Sequence, residues 1–271
     1  MESLAIAEKS GMSKPHRARF FHLFLCGDCA PSHLVDFSPV RLSPYSLFCI
    51  GADKVHAYDR LSPYRGRVLL FTESFYGLSP ADTLFLQRSP LFSDLYGSPV
   101  VPVGEEEMRA FWKMSLDIEQ ELGRPEDMWQ HALLQSRLHT LLLEAERAYA
   151  RLEPRCEIPQ ASQELFFAFR SLLEKRYPDS HQASDYSKAL GVGPKQLAAA
   201  TARALGKSPK QCIEDRLLLE AKRLLSQSQE PIKAIGFALG FAEATHFTKF
   251  FRLRCGLAPQ AFRAQYLEGN H

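Results

Sequence analysis

The sequence predicts a chain of two classes: a mostly β N-terminal half of small-barrel type with helices after it, and an all-α C-terminal half. Three observations carry this. The 271 residues suffice for two separate cores. From Phe20 to Val103, short apolar runs are punctuated by Gly, Pro, Asp and Ser, the texture of closely spaced strands. From Gly104 onward the apolar residues recur at helical spacing. A content of 45% hydrophobic and 24% charged residues fits globular protein and argues against a disordered or fibrous chain.

Each segment follows in order. Residues 1–19 read as a flexible arm without the pattern of a signal peptide. Residues 20–103 hold the strand-like runs FFHLFL, HLVDF, SLFCI, KVHAY and RVLLFT. Residues 104–153 form a helical segment. Its first helix, EEEMRAFWKMSLDIEQEL, opens on acids that suit the helix dipole, and GRP ends it. A longer helix runs from about Glu126 to Leu152, with Leu134, Leu138, Leu141, Leu142, Ala145 and Tyr149 on one face. PRCEIPQ, with proline near both ends, reads as a linker at 154–160, and residues 161–271 are helices and short turns.

Charge separates the halves. Residues 161–271 carry 16 Lys and Arg against 10 Asp and Glu, whereas residues 1–160 carry 17 against 21, within a net charge of +2. A basic C-terminal half suits a polyanion, although a solvated helical surface can carry the same excess. No apolar run is long enough to cross a bilayer, and no membrane partner is expected. Six cysteines in a chain of this length do not make a disulfide framework, so a reducing cytoplasm is expected.

Two stretches of the C-terminal half share one plan. In 231–254, Pro231 opens a short helix striped by Ile232, Ile235 and Leu239, and Gly240 turns the chain. The next helix, starting near Glu243, buries Phe247, Phe250 and Phe251 and turns Thr245, Thr248, Lys249 and Arg252 outward. A helix, a glycine turn and a helix with a slim, polar and basic outer face is what a helix-turn-helix needs to enter the major groove. Ala244, Thr245, His246, Thr248, Lys249 and Arg252 are its candidate DNA contacts, with His246 and Arg252 placed for phosphate. In 183–205, Tyr186, Ala189 and Leu190 line the first helix, Gly191 turns, and Pro194 opens the second. Lys195, Ala198, Ala199 and Arg203 lie outward there. Between the two units, Ser208 caps and Pro209 opens a connecting helix of about 25 Å, which can set the reading helices about one turn of B-DNA apart. A bundle of amphipathic helices used for protein contacts is the plainer alternative.

At this point the chain resembles a known family. The run PIKAIGFALGFAEATHFTKFFRLRCGLAPQAFR, together with ALGVGPKQL and GKSP, is similar to the double helix-turn-helix domain of the AraC/XylS family of bacterial transcription regulators. Ala198 and Ala199 depart from the polar or basic side chains usual after the leucine of the first reading helix, Gly193 replaces a common serine, and Ala258 replaces a common Ser or Thr. The second unit is therefore expected to do most of the base reading and the first mainly to position. The N-terminal run, with HLVDF, SPYSLFCI, VHAY and YRGRVLLF, resembles the cupin-like barrel that precedes this domain in many members.

The resemblance implies an effector-responsive regulator of promoter DNA with no enzymatic activity and no cofactor. It also implies a homodimer, a small-molecule effector, and RNA polymerase as a further partner. Leu134, Leu138, Leu141 and Ala145 are the candidate dimer seam; the alternative is that their helix packs back on its own barrel. His22, His33, His56 and Arg67 are candidates for the effector site. The three histidines could instead be wall residues or meet a metal, but the H-x-H spacing of metal-bearing cupins is absent. Cys26 and Cys29 form a C-x-x-C that suits a redox or metal sensor, or two cysteines facing across a hairpin. Two other classes stay open: a regulator whose N-terminal half only dimerises, and a metal-dependent cupin enzyme fused to a DNA-binding domain.

Overall fold

The computed structural model describes residues 15–59, 64–77, 79–92, 100–152 and 159–267. The chain divides into two compact units, Met1–Arg155 and Cys156–His271. Residues 154–158 of the expected linker lie outside the described residues, as does most of the expected arm, while Pro159 and Gln160 already cap and open the next helix. The arm's last residues are a correction: His16–Arg17 form a strand, β1.

The first unit continues with β2 (Phe21–Cys26), β3 (Ser32–Val35), β4 (Ser38–Arg41), β5 (Ser46–Ile50), β6 (Val55–Tyr58) and β7 (Gly66–Phe71). Two short helices follow, α1 (Glu73–Tyr76) and α2 (Pro80–Arg88), then β8 (Val100–Pro102), α3 (Glu105–Leu122) and α4 (Gln130–Leu152). The strands make two antiparallel four-stranded sheets, ordered β1-β6-β3-β4 and β7-β2-β5-β8. The two helices inside the expected barrel were not anticipated, although Ser79-Pro80 with Asp82 makes a complete capping box, a sequence signature of a helix start.

The sheet β7-β2-β5-β8 is covered on both faces, which is why β2 and β5 read as continuous apolar runs. Alternation sorts its side chains. Phe24, Cys26, Phe48, Ile50 and Val68 face the other sheet and pack with Val35. Leu23, Leu25, Leu47, Cys49, Leu69 and Phe71 face the opposite way, into a core shared with α3 and α4.

That second core corrects the expected dimer seam. Leu134, Leu138, Leu141 and Ala145 are buried in it, Leu138, Leu141 and Ala145 completely. A side chain with no exposed surface inside its own chain cannot also line a seam with a second copy. The stripe on α4 exists to cover the sheet, and α4 starts at Gln130 rather than near Glu126. Leu138→Ala is expected to cost about 3 kcal/mol in stability, as for other large-to-small core changes, with no change in oligomeric state. A gel-filtration shift at unchanged unfolding midpoint would contradict this placement.

The second unit comprises α5 (Gln160–Arg176), α6 (Ala183–Ala189), α7 (Pro194–Leu205), α8 (Pro209–Gln227), α9 (Ile232–Ala238), α10 (Ala244–Cys255) and α11 (Pro259–Leu267). The central helix, α8, starts as expected, with Ser208 accepting the Gln211 N–H in a capping box and Pro209 in the first turn. Its 19 residues span about 28 Å. It is more deeply packed than its apolar stripe suggests, because Arg216, Glu220 and Arg223 are buried as well. Arg216 lies 2.9 Å from Glu174 and 3.1 Å from Glu220, and its guanidinium sits 4.1 Å over the Tyr177 ring. Pairing of this kind makes burial of the charges tolerable and ties α8 to the end of α5.

Candidate nucleic-acid interface and barrel cluster

The two helix pairs expected from sequence are both present. In α6–α7 the turn residue Gly191 has φ +66°, and in α9–α10 the turn residue Gly240 has φ +81°, the left-handed region in which glycine is unstrained. Pro231 is the N-cap of α9 rather than its first residue. Phe247 and Phe251 are fully buried on α10, Phe250 is half-buried, and Leu239 of the preceding turn is buried too.

With the phenylalanines turned in, the rest of α10 faces solvent. Thr245, His246, Thr248, Lys249 and Arg252 are exposed, while Ala244 is half-buried. Lys249 and Arg252 make no ion pair among the described residues, which leaves two cations available to phosphate. Thr248 Oγ1 donates to the Ala244 carbonyl at 2.9 Å. Arg254, by contrast, is paired with Glu214 of α8. Sequence reasoning passed over Glu243. This N-cap residue makes no side-chain cap to α10. Its carboxylate accepts from Thr245 Oγ1 at 3.1 Å and lies 3.7 Å from His246 Nε2.

On α7, Lys195, Ala199 and Arg203 are exposed and Ala198 is half-buried. Arg203 donates to Ser162 Oγ of α5 at 3.1 Å, so its head is engaged within the unit. Gln196 is exposed beside Lys195 and was not anticipated. The face of α7 is thus poorer in free hydrogen-bonding groups than that of α10.

In the first unit, the three histidines singled out by sequence come together. His56 and His33 share a 3.2 Å contact between Nδ1 and Nε2, and His33 Nδ1 lies 3.1 Å from the Tyr64 hydroxyl. The Tyr64 hydroxyl donates in turn to the Ser32 carbonyl. Its one proton being used there, it must accept from His33, which makes His33 Nε2 an acceptor and His56 Nδ1 the donor. The chain of bonds therefore assigns both tautomers. The His22 ring meets the His56 ring edge-on at 4.6 Å, and His16 packs on it at 4.3 Å. His22 Nδ1 and His56 Nε2 are buried without a hydrogen-bond partner among the described residues.

Burial favours the neutral imidazole. Desolvation, then the charge of His16, lowers the His22 pKa to about 4. Desolvation followed by the neighbouring histidines lowers His33 to about 3, and pushes His56 down for the same reasons. Among the described residues, no group of three or more His, Cys, Asp or Glu side chains is arranged to hold a metal ion.

Arg67 is not part of this cluster. Its neighbour Val68 points between the sheets, so Arg67 lies on the other face of β7, where it pairs with Glu119 of α3. Arg67 therefore faces away from the histidines and, contrary to expectation, does not line an effector site with them.

A family model described as a helix-turn-helix domain matches residues 186–265, which span both helix pairs. This part of the chain is similar to the corresponding part of bacterial transcriptional regulators.

Among similar proteins, the HTH-type transcriptional regulator ExsA of Pseudomonas aeruginosa is 32% identical over 91 residues, covering 34% of this chain and 33% of that protein. The arabinose operon regulatory protein of Salmonella typhimurium is 23% identical over 243 residues, covering 87% of this chain and 76% of that one. The chain thus spans about a third of the length of ExsA and three quarters of the arabinose regulator. Among solved structures, ToxT from Vibrio cholerae aligns over 93% of this chain and 95% of its own, at 12% identity and a TM-score of 0.48. No helix among the described residues is long and apolar enough to cross a membrane.

Proposed function

We propose that this chain is a sequence-specific DNA-binding transcriptional regulator of AraC/XylS type, with α10 as its principal reading helix and α7 as a positioning helix. The observation that carries this is the exposed face of α10, where two threonines and two cations with no ion pair among the described residues stand on a helix anchored by buried phenylalanines. Lys249 and Arg252 supply phosphate contacts and salt-dependent affinity; Thr245 and Thr248 meet base edges. His246 is a phosphate contact at the rim.

Selection from random duplexes, followed by titration of the enriched site, tests this. Lys249→Ala is expected to weaken all duplexes about equally and to lower the salt slope by about one. Thr245→Ala is expected to lose discrimination at one base position by about 1–3 kcal/mol. Greater loss of base preference in Lys195→Ala and Arg203→Ala than in Thr245→Ala would reverse the ranking of the two helices.

We also infer that the barrel takes a small effector at the His22–His33–His56 cluster. The support is chemical: among the described residues His56 Nε2 is a buried acceptor without a donor, and His22 Nδ1 is a second unpartnered atom beside it. An effector bearing a hydroxyl or amide N–H would satisfy them. A thermal-shift screen of small acids, sugars and aromatics, repeated on His56→Leu, checks this, because a ligand that binds the folded state raises the midpoint. RNA polymerase and a second copy of the chain are further proposed partners. Any homodimer uses surfaces other than the buried stripe of α4.

A further inference from the structure

We propose that Cys26 and Cys29 are a thiol pair that a hydroperoxide converts to an intramolecular disulfide. The two Sγ atoms face each other at 3.4 Å across the Gly27–Asp28 turn. A disulfide requires an S–S separation of about 2.05 Å, so the closure is a local movement of two side chains already aimed at one another. Both cysteines are buried, as are Cys49 and Cys212. Only Cys26 and Cys29, among the described cysteines, have a second thiol within bonding reach.

The surroundings assign the two roles. Cys29 Sγ accepts the Arg65 backbone N–H at 3.2 Å, which stabilises negative charge on that sulfur. It also donates to the Arg65 carbonyl at 3.2 Å, while Gly27 N–H donates to the same carbonyl at 2.8 Å. Cys26 is fully buried, and desolvation followed by its bond to Cys29 pushes its thiol up to about 12. Cys29 is therefore the attacking sulfur and Cys26 the resolving one.

In the first step the Cys29 thiolate attacks the terminal oxygen of R–O–O–H. The S–O bond forms, the O–O bond breaks, and the alkoxide leaves, taking up the proton that Cys29 released. Cys29 is then a sulfenic acid. In the second step the Cys26 sulfur attacks the Cys29 sulfur. The S–S bond forms, the S–O bond breaks, and hydroxide leaves with the Cys26 proton as water. Two thiols lose two electrons and two protons, and one hydroperoxide becomes an alcohol and water. Closure draws Cys29 Sγ off both backbone groups of Arg65, which directly precedes β7 and follows Tyr64 of the histidine cluster.

The test treats the folded full-length chain with hydrogen peroxide and follows intact mass, thiol count and peptide linkage. The expected result is a loss of two hydrogens and two thiols, a Cys26–Cys29 linkage, and full reversal by dithiothreitol. In Cys26→Ala, a sulfenic acid at Cys29 is expected to accumulate and be captured by dimedone; in Cys29→Ala, Cys26 is expected to stay unmodified. The wild-type mass and linkage decide the matter even if a variant fails to fold. Addition of oxygen without the linkage, or linkage only after denaturation, overturns the proposal.

Discussion

Replacing Gly240 with alanine is expected to remove about 4 kcal/mol or more of stability from the second unit, a loss seen only when a specific structural feature is broken. Two independent effects add. The residue sits at φ +81°, where a side chain costs about 1–2 kcal/mol. The new Cβ would also lie 1.8 Å from the Pro178 carbonyl oxygen and 2.9 Å from its carbon. Those are backbone atoms, so no rotamer change relieves the overlap. The turn must move away from the segment after α5, and that strains the 2.9 Å bond between His181 Nε2 and the Leu239 carbonyl. Gly191 is the internal control. It occupies the matching turn at φ +66°, yet nothing lies within 4 Å of the position its Cβ would take. Gly191→Ala is expected to cost only about 1 kcal/mol. Urea unfolding followed by far-ultraviolet circular dichroism compares the two; equal shifts in midpoint would refute the distinction.

The second large effect is acid sensitivity of the first unit. His22 and His33 are neutral in the folded chain down to about pH 4 and about pH 3, whereas an unfolded histidine takes up its proton near 6.5. Between those limits the unfolded state binds more protons, so stability falls as pH falls. It is fully present above about pH 6.5, and the loss from each histidine stops at that residue's own folded pKa. Each unit of pH in this window costs about 1.4 kcal/mol per histidine, hence roughly 2 kcal/mol from each by pH 5. Trp112 and Trp129 are the chain's two tryptophans and both belong to the first unit, so fluorescence follows that unit alone. The fluorescence-detected urea midpoint is expected to drop steeply from pH 7.5 to pH 5, and less steeply in His33→Leu. A midpoint flat over that range would show that the cluster accepts protons without cost.

What could be seen in advance depended on whether a single element carried the information. The outer face of α10 was readable because helical period and the buried phenylalanines belong to one segment. The histidine cluster was readable as a list but not as a site. His22, His33 and His56 lie on three strands, and the orphaned nitrogens and the Tyr64 relay exist only once the sheets are stacked. Period two placed Arg67 opposite Val68 but did not say which face was inward, and Val68 took it. The stripe on α4 showed that one face was covered without showing by what. On α8, a helical wheel puts Glu220 at the edge of the apolar stripe and Arg216 and Arg223 beyond it. Arg216 is received by Glu174 and Tyr177, distant in sequence, and Glu220 by Arg216 and Arg223 on α8 itself.

The burial of the α4 stripe against the β7-β2-β5-β8 sheet has a consequence for how such a chain can be divided. A fragment ending at residue 103 would leave one face of that sheet, with Leu23, Leu25, Leu47 and Leu69, open to water. The barrel and its two long helices therefore have to be transplanted as one module, and the separable boundary of this chain lies after residue 152.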